Sequence, residues 1–286
     1  MGTVGVWAGG SVASPVLARQ VEELGLRAIW VGGGNTNPEA LAGRAAMLAA
    51  TEEIVVATGI ASVWPWDPAV LASQVADIDA AHPGRFLLGL GVSHAPMVRQ
   101  AGREYAKPLG EMRRFLDALD EASGGKQEGP GGAGNRVLAA LGPKMLELAR
   151  DRSVGAHPYL VTPEHTRAAR GILGPGPLLA PEQGVVVSPE PGYARQVARD
   201  YLALYLSLPN YLGNLRELGF DDSDFAAGGS DRLVDAVIPW GDADTVAARV
   251  AEHFEAGADH VAVQPLGPDG TFDHVGLGWL AAILMP

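Results

Sequence analysis

Short apolar runs alternate with helical patterns along almost the whole chain, and this alternation limits the folds that the sequence can adopt. Most of the runs lack a clean apolar–polar alternation, which is typical of strands covered by helices on both faces. Eight parallel strands with intervening helices predict an α/β fold, the closed (β/α)8 TIM barrel. The predicted strands cover residues 4–7, 28–31, 54–60, 86–92, 137–141, 155–160, 184–187 and 260–264.

Proline and glycine mark the ends of the predicted helices. Asp67-Pro68 supplies a capping side chain followed by proline in the first turn, and the helical pattern continues to Ala81. Inserted helices are expected before the last strand, and a glycine-rich surface loop is expected over residues 123–135. The other predicted helices cover residues 16–24, begin at residues 163 and 243, and, within the insertion, cover about 193–206 and 210–218.

The length of the chain fits one barrel. A barrel needs about 250 residues, so we expect residues 1–286 to form a single domain. The alternative is an open, doubly wound sheet, which would carry a Gly-x-Gly-x-x-Gly turn after its first strand. Residues 8–11 (AGGS) and 32–34 (GGG) both have the wrong spacing for that turn. The sequence therefore favours the barrel.

Composition excludes several classes of function. The chain has no cysteine, which excludes disulfides, thiolate metal sites and a cysteine nucleophile, and fits a reducing cytoplasm. A net charge of −12 argues against nucleic-acid binding. No apolar run reaches the roughly 18 residues that a membrane span needs. We therefore expect a cytoplasmic protein that acts on a small molecule.

Histidines can be sorted by their place in the predicted barrel, since barrel active sites lie at the carboxyl ends of the strands. Only His94 and His157 are predicted at such ends. Neither has the companions of a zinc site, so no metal is expected. The other histidines are expected to be structural at the amino ends of strands (His82 and His260), solvated or capping in helices (His165 and His253), or without a role (His274).

Two further strand ends carry features of a ligand site. Trp64 and Trp66 could wall a pocket for a flat ring, or could simply pack over the barrel mouth. Residues 141–144 (LGPK) turn a strand directly into a helix, and helix amino ends favour anions. Many ordinary turns between strand and helix have the same pattern, so this phosphate signal is weak alone. No Gly-x-Ser-x-Gly elbow of a serine hydrolase is present.

Six segments in this order resemble the luciferase-like monooxygenase superfamily, and more narrowly its actinobacterial branch thought to use the deazaflavin coenzyme F420. Together they extend over most of the chain. They are residues 58–64 (TGIASVW), 67–69 (DPA), 83–96 (PGRFLLGLGVSHAP), 138–144 (LAALGPK), 155–165 (GAHPYLVTPEH) and 208–211 (LPNY).

The resemblance implies roles for particular residues. Members of the family often carry a non-proline cis peptide behind the flavin ring, which would fall near Ala61–Ser62 here. Trp64 is expected to border the substrate pocket. Family members also dimerise, so a homodimer is expected. The residues that match cofactor-binding segments of the family are Ala61, Ser62, Val92, Ser93, Ala140, Leu141, Gly142, His157, Pro158 and Tyr159.

One departure from the family affects the catalytic assignment. Deazaflavin-dependent sugar-phosphate dehydrogenases carry an Asp-His pair after the second strand, where this chain has residues 31–34 (VGGG). His94 stands where those enzymes carry a glutamate. We therefore predict His94 as the catalytic residue that protonates or orients the substrate, although it could instead only hydrogen-bond cofactor or water.

The resemblance predicts an oxidoreductase that uses F420 for hydride transfer to or from a small organic substrate. The first alternative is an FMN-dependent luciferase-like monooxygenase. The second is a protein that binds the cofactor without turnover, which the missing Asp-His pair keeps open. A phosphate-binding lyase or aldolase would need a lysine at a strand end, and Lys144 already opens a helix.

Overall fold

The computed structural model describes residues 1–34, 36–124 and 134–285. Most of the loop predicted over residues 123–135 lies outside the described residues. The described strands, numbered in chain order, are β1 Val4–Gly9, β2 Ala28–Gly32, β3 Val55–Thr58, β4 Ala61–Ser62, β5 Phe86–Gly91, β6 Arg136–Leu138, β7 Gly155–Ala156, β8 Leu178–Leu179, β9 Glu182–Val187, β10 Trp240–Gly241 and β11 Val261–Pro265.

The strands form a closed ring of parallel neighbours. Strand β1 pairs with both β2 and β11, so the first and last strands of the chain are adjacent. On the opposite side, β7 pairs with β8, and the amide of Glu182 donates to the carbonyl of Pro158 at 2.8 Å. That bond connects β9 to the end of β7, and β9 pairs in turn with β11. The predicted (β/α)8 barrel is confirmed.

Two positions of the ring are occupied by broken strands. Strands β3 and β4 together fill the third position, and β8 and β9 fill the seventh. Pro181 separates β8 from β9, because proline has no N–H group to continue the ladder. The sequence pattern placed the start of the seventh strand at residue 184 and missed β8 altogether. Strands β6 and β7 are also shorter than the predicted runs 137–141 and 155–160.

Most helices begin with proline in the first turn, as the capping signals predict. Asp67, for example, accepts hydrogen bonds from the amides of Ala69 and Val70. The described helices are α1 Pro15–Glu23, α2 Pro38–Ala49, α3 Pro68–Ala81, α4 Ala95–Gln100, α5 Pro108–Ala122, α6 Pro143–Arg152, α7 Pro163–Leu173, α8 Pro191–Tyr205, α9 Pro209–Glu217, α10 Asp222–Phe225, α11 Asp231–Val237, α12 Ala243–Glu255 and α13 His274–Leu284.

The predicted insertion before the last strand is present as helices α8 to α11. It forms its own apolar cluster, in which Leu202, Tyr211, Leu215 and Val234 are buried. Leu160, which follows β7, joins the same cluster. The insertion is therefore packed against the carboxyl ends of the barrel strands, where a site is expected.

The prediction that His165 and His253 are solvated or capping is wrong, because both face the barrel. His165 is 5% exposed and His253 is 0% exposed. The ring of His253 bonds Oγ1 of Thr166 and Oε1 of Gln183, each at 2.8 Å. Helices α7 and α12 pack together and α12 also packs on β9, so these histidines lie on the inward faces of their helices.

Candidate functional site

A cavity of about 1420 Å³ opens at the carboxyl ends of the strands. Ligand pockets for drug-sized molecules occupy about 300–1,000 Å³, so this cavity can hold a tricyclic ring with a tail. Its walls come from the segments that follow β1, β2, β3, β5, β6 and β7, and the inserted helices α8 and α9 close one side. The cavity lies where the barrel rule predicts the active site.

The floor of the cavity explains the glycine that ends β2. A methyl group at Gly32 would overlap the indole ring of Trp7. Both residues line the cavity, and Gly32 is paired in register with Gly9 across β1 and β2. Glycine at position 32 therefore makes room for the tryptophan, which the sequence analysis did not assign to the site.

The non-proline cis peptide expected near Ala61–Ser62 lies between Gly59 and Ile60. This is two residues before Ala61–Ser62, which are paired, in strand β4, with Leu90 and Gly91 of β5. Ser62 lines the cavity, whereas Ala61 is fully buried in the barrel core, so its side chain does not reach the ligand space.

The segment after β5 brings several predicted residues to the cavity. Val92, Ser93, His94 and Trp64 all line it. The indole nitrogen of Trp64 donates to the carbonyl of Val92 at 2.6 Å, which fixes the tryptophan against this segment. Ser93 has a φ of 54°, in the left-handed region that is uncommon for residues other than glycine. The turn at Ser93 presents His94 next to the inserted helices.

His94 is held by the insertion. Its Nδ1 lies 3.0 Å from Oδ1 of Asn210, and its ring centroid is 5.3 Å from that of Tyr211. Burial lowers the pKa of His94 below its usual value, and the hydrogen bond that the ring donates to Asn210 partly opposes that effect. This direction favours the neutral imidazole, which can act as a proton acceptor.

The turn after β6 has the form of an anion site. Ala140, Leu141, Gly142 and Lys144 line the cavity, and α6 begins directly after Gly142. Within the described parts of the chain, the amide N–H groups of Leu141 and Gly142 donate no hydrogen bond. The carbonyl of Leu141 is bonded by Nε2 of His165 at 2.9 Å, so the buried histidine anchors this turn.

The segment after β7 divides between core and cavity. His157 is 1% exposed, its Nδ1 lies 2.6 Å from the carbonyl of Ala180, and its ring stacks on Trp30. Burial lowers the pKa of His157 to about 4. Tyr159 lines the cavity beside it, whereas Pro158 does not. Pro158 instead contributes the carbonyl that closes the ring with Glu182.

Two buried nitrogen atoms at the floor have no hydrogen-bond partner among the described residues. They are Nε1 of Trp7 and Nε2 of His157. A methyl group built on Gly59 would lie 2.7 Å from the first and 3.4 Å from the second, so both nitrogens converge on this glycine. The indole nitrogen is a donor, and the bare imidazole nitrogen is an acceptor, because Nδ1 donates to Ala180.

Sequence reasoning missed a polar cluster behind the cavity. The hydroxyl of Tyr159 bonds those of Tyr201 and Tyr205 at 2.6 and 2.9 Å and Oε1 of Gln264 at 2.9 Å. Close to these phenols, burial raises the pKa of Glu182 to about 8. The cluster joins β7, α8, β9 and β11, and such long-range contacts leave no local sequence pattern.

The charge of the lining is opposite to that of the chain. The described residues that line the cavity include Arg103 and Lys144 but no aspartate or glutamate. The whole chain, in contrast, has 33 acidic and 21 basic residues. A site without carboxylates in such a chain favours an anionic ligand.

Two further properties follow from the described residues alone. They contain no cluster of three or more histidine, aspartate or glutamate side chains that could hold a metal ion. None of their helices is long and apolar enough to cross a membrane.

The chain is similar to known oxidoreductases along its length. A 5,10-methylenetetrahydromethanopterin reductase of Archaeoglobus fulgidus is 25% identical over 263 residues, which cover 77% of this chain and 79% of the relative. An F420-dependent glucose-6-phosphate dehydrogenase of Kribbella flavida is 30% identical over a shorter stretch of 113 residues, 36% of this chain and 34% of the relative.

Solved structures share the fold. The F420-dependent tetrahydromethanopterin reductase from Methanopyrus kandleri superposes with a TM-score of 0.74 at 18% identity, and 98% of this chain and 96% of that chain are covered. An F420-dependent secondary alcohol dehydrogenase reaches the same TM-score at 16% identity, with 99% and 98% covered. The sequence model described as luciferase-like monooxygenase matches residues 15–260. Because that match extends over most of the barrel and its insertion, the chain belongs to the luciferase-like monooxygenase family.

Proposed function

We propose that this protein binds the deazaflavin coenzyme F420 in the cavity and transfers a hydride to or from a small organic substrate. The observation that carries the proposal is the lining: a cavity of about 1420 Å³ with two cations and no carboxylate among its described residues. The sequence relatives support it, since they are a reductase and an F420-dependent dehydrogenase.

The residues present fit such a cofactor. The donor on Trp7 and the acceptor on His157 lack partners at the floor, and a flat heterocycle with carbonyl and N–H groups carries the complementary atoms. The unpaired amides at Leu141 and Gly142 and the cation of Lys144 suit its phosphate. Ser62, Val92, Ser93, Ala140 and Tyr159 would contact the same group, through their positions on the lining.

His94 is the proposed catalytic residue. The cofactor supplies a carbon centre that accepts or donates a hydride and reacts poorly with oxygen. When the substrate is oxidised, the proton that accompanies that hydride goes to the neutral imidazole of His94, and in the reverse direction it comes from the protonated ring. Trp64 borders the substrate space on the same side. The phenols of Tyr105 and Tyr211 enclose it and exclude water.

The second candidate function is an FMN-dependent monooxygenase. A Baeyer–Villiger monooxygenase in complex with FMN shares the fold, with a TM-score of 0.67 at 16% identity. Binding of each cofactor to the purified protein, followed by fluorescence, separates the two functions. We expect F420 to bind more tightly than FMN. Tight binding of FMN without binding of F420 would make the first assignment wrong.

The same purified protein tests the alternative that the chain binds the cofactor without turnover. We expect hydride exchange between bound cofactor and carbonyl or alcohol substrates in a spectroscopic screen, and His94→Ala should slow it without releasing the cofactor. Cofactor binding with no exchange on any substrate class would favour the binding protein.

We also propose a single domain over residues 1–286, a homodimer and a location in the cytoplasm. The pairing of β1 with β11 supports the single domain, and the absence of cysteine supports the location. The outward faces of α2 and α3 carry exposed alanines, which let helices of two copies approach closely. Light scattering should report a dimer that Ala46→Arg and Ala76→Arg convert to monomers.

A further inference from the structure

One polar contact links the strand segment that carries His94 to the inserted helix α9. Nδ1 of His94 lies 3.0 Å from Oδ1 of Asn210, and both side chains line the cavity. Asn210 stands in the first turn of α9, which is packed in place by the buried residues Tyr211 and Leu215. The contact therefore joins the barrel to a rigid part of the insertion, 116 residues away in sequence.

The chemistry of the pair fixes which nitrogen carries the proton. An amide oxygen only accepts hydrogen bonds, so Nδ1 of His94 is the donor and Nε2 is bare in the neutral ring. Without that acceptor, either nitrogen could hold the proton, and a ring with its proton on Nε2 cannot accept one there.

We propose that Asn210 is a positioning residue for the reaction, since its side-chain oxygen holds His94 in the Nδ1–H form and leaves Nε2 free to take the substrate proton. The proposal rests on the proposed function for the role of that proton transfer. It makes the insertion part of the catalytic apparatus, and not only a cover for the barrel mouth.

The surroundings of His94 leave Asn210 as its main polar partner. The other titratable side chains on the cavity wall are the buried imidazole of His157, the cations Arg103 and Lys144, and the phenols of Tyr105, Tyr159, Tyr205 and Tyr211. Burial raises the pKa of each of these phenols, so they stay neutral. No carboxylate among the described lining residues competes for the imidazole.

The test uses the whole protein and two variants, Asn210→Asp and Asn210→Ala. Nitrogen–proton NMR correlation of the histidine rings in the cofactor-free protein reports both the tautomer and the titration of His94. We expect Asn210→Asp to raise the pKa of His94 by about one unit, through its charge. We expect Asn210→Ala to lower that pKa and to populate the Nε2–H form. Aspartate suits the first turn of a helix, so this variant should fold.

A matched control lies on the surface. Nδ1 of His274 is 3.0 Å from Oε1 of Gln20, the same kind of pair at the same distance, and neither residue lines the described cavity. Gln20→Glu should leave the titration of His94 unchanged.

Activity measurements then test whether Asn210 affects the reaction through His94. The pH midpoint of kcat/KM should move in the same direction as the His94 titration in both variants, and stay fixed in Gln20→Glu. A His94 ring that titrates identically in all variants would overturn the proposal, and so would a moved titration with an unmoved activity profile. A protein that binds neither F420 nor FMN would remove the proposed function, while the ring spectra would still decide whether Asn210 controls His94.

Discussion

Two tryptophan–histidine pairs lie inside the barrel, and only one has all its nitrogens bonded. In the pair that does not line the cavity, Nε1 of Trp30 donates to Nε2 of His260 at 3.1 Å, and Nδ1 of His260 lies 2.6 Å from the carbonyl of Gly2. In the pair that lines the cavity, Nε1 of Trp7 and Nε2 of His157 have no partner among the described residues.

This difference in hydrogen bonding distinguishes residues that stabilise the fold from residues that are free to bond a ligand. The two pairs touch, since the ring of His157 stacks on Trp30 with centroids 4.1 Å apart, so they share one core. An unsatisfied buried polar group costs roughly 1–3 kcal/mol. The pair that lines the cavity keeps that cost, which ligand atoms would offset. The Trp30–His260 pair is fully bonded by the protein, whereas the Trp7–His157 pair leaves one donor and one acceptor for ligand atoms.

The largest expected effect concerns Glu182, the first residue of β9, which is another buried group with an unbonded atom, its Oε1. Burial raises its pKa from 4.5 to about 8, so the folded protein favours the protonated form. Stability from this group is present below the unfolded pKa and lost as pH rises through the folded pKa. Between pH 5 and 9 the wild type should therefore lose roughly 3–5 kcal/mol that Glu182→Gln retains.

Chemical denaturation at several pH values measures this difference. Asp259→Asn at the amino ends, whose carboxylate is half exposed and bonded by Arg170, serves as the control. A Glu182→Gln protein with the same pH dependence as the wild type would show that the glutamate is ionised in the fold.

The second expected effect compares the two tryptophans directly. Trp30→Phe leaves Nε2 of His260 without its donor and opens space in the core, so we expect a loss of about 2–3 kcal/mol in the free energy of unfolding. Trp7→Phe removes a nitrogen that already has no partner, so its cost should be smaller, about 1 kcal/mol.

For cofactor binding, the order of the two variants should be the reverse of their order for stability, with Trp7→Phe having the larger effect. Trp7→Phe should weaken F420 binding about tenfold, the value of one hydrogen bond, whereas Trp30→Phe should leave the dissociation constant unchanged. Denaturation and fluorescence titration of the same two preparations measure both quantities. Equal effects of Trp7→Phe and Trp30→Phe on F420 affinity would mean that the unbonded nitrogen of Trp7 does not contact the cofactor.

How far the sequence predicts this protein depends on the range of the contacts involved. Proline and aspartate caps act within one turn, so the starts of α3, α7 and α12 were predicted correctly from the residues. The barrel followed from the spacing of apolar runs. The cis peptide bond between Gly59 and Ile60 lies two residues before the expected position. The extent of β4 depends on its pairing with β5, a contact that local sequence does not specify.

The site was predictable only where it follows the strand ends. His94, Trp64 and Gly142 were found in this way, and all line the cavity. Trp7 ends the first predicted strand and could have been found by the same rule. Asn210 could not, since it belongs to an insertion whose place over the barrel mouth is set by the apolar cluster of Leu202, Tyr211 and their neighbours.

Gly142 gives the smallest effect on stability and the clearest separation between fold and ligand. A side chain there meets nothing within 4 Å, and its φ of −83° suits any residue. Gly142→Asp should therefore leave the free protein as stable or slightly more so, because aspartate is a better N-cap than glycine. The same carboxylate would stand beside the unpaired amides of the turn and repel a phosphate, so F420 affinity should fall at least about tenfold. Gly142→Ala, which adds bulk without charge, should lie close to the wild type in both melting temperature and titration. Unchanged F420 affinity in the aspartate variant would place the anionic end of the cofactor elsewhere on the rim and leave the amino end of α6 as an ordinary turn.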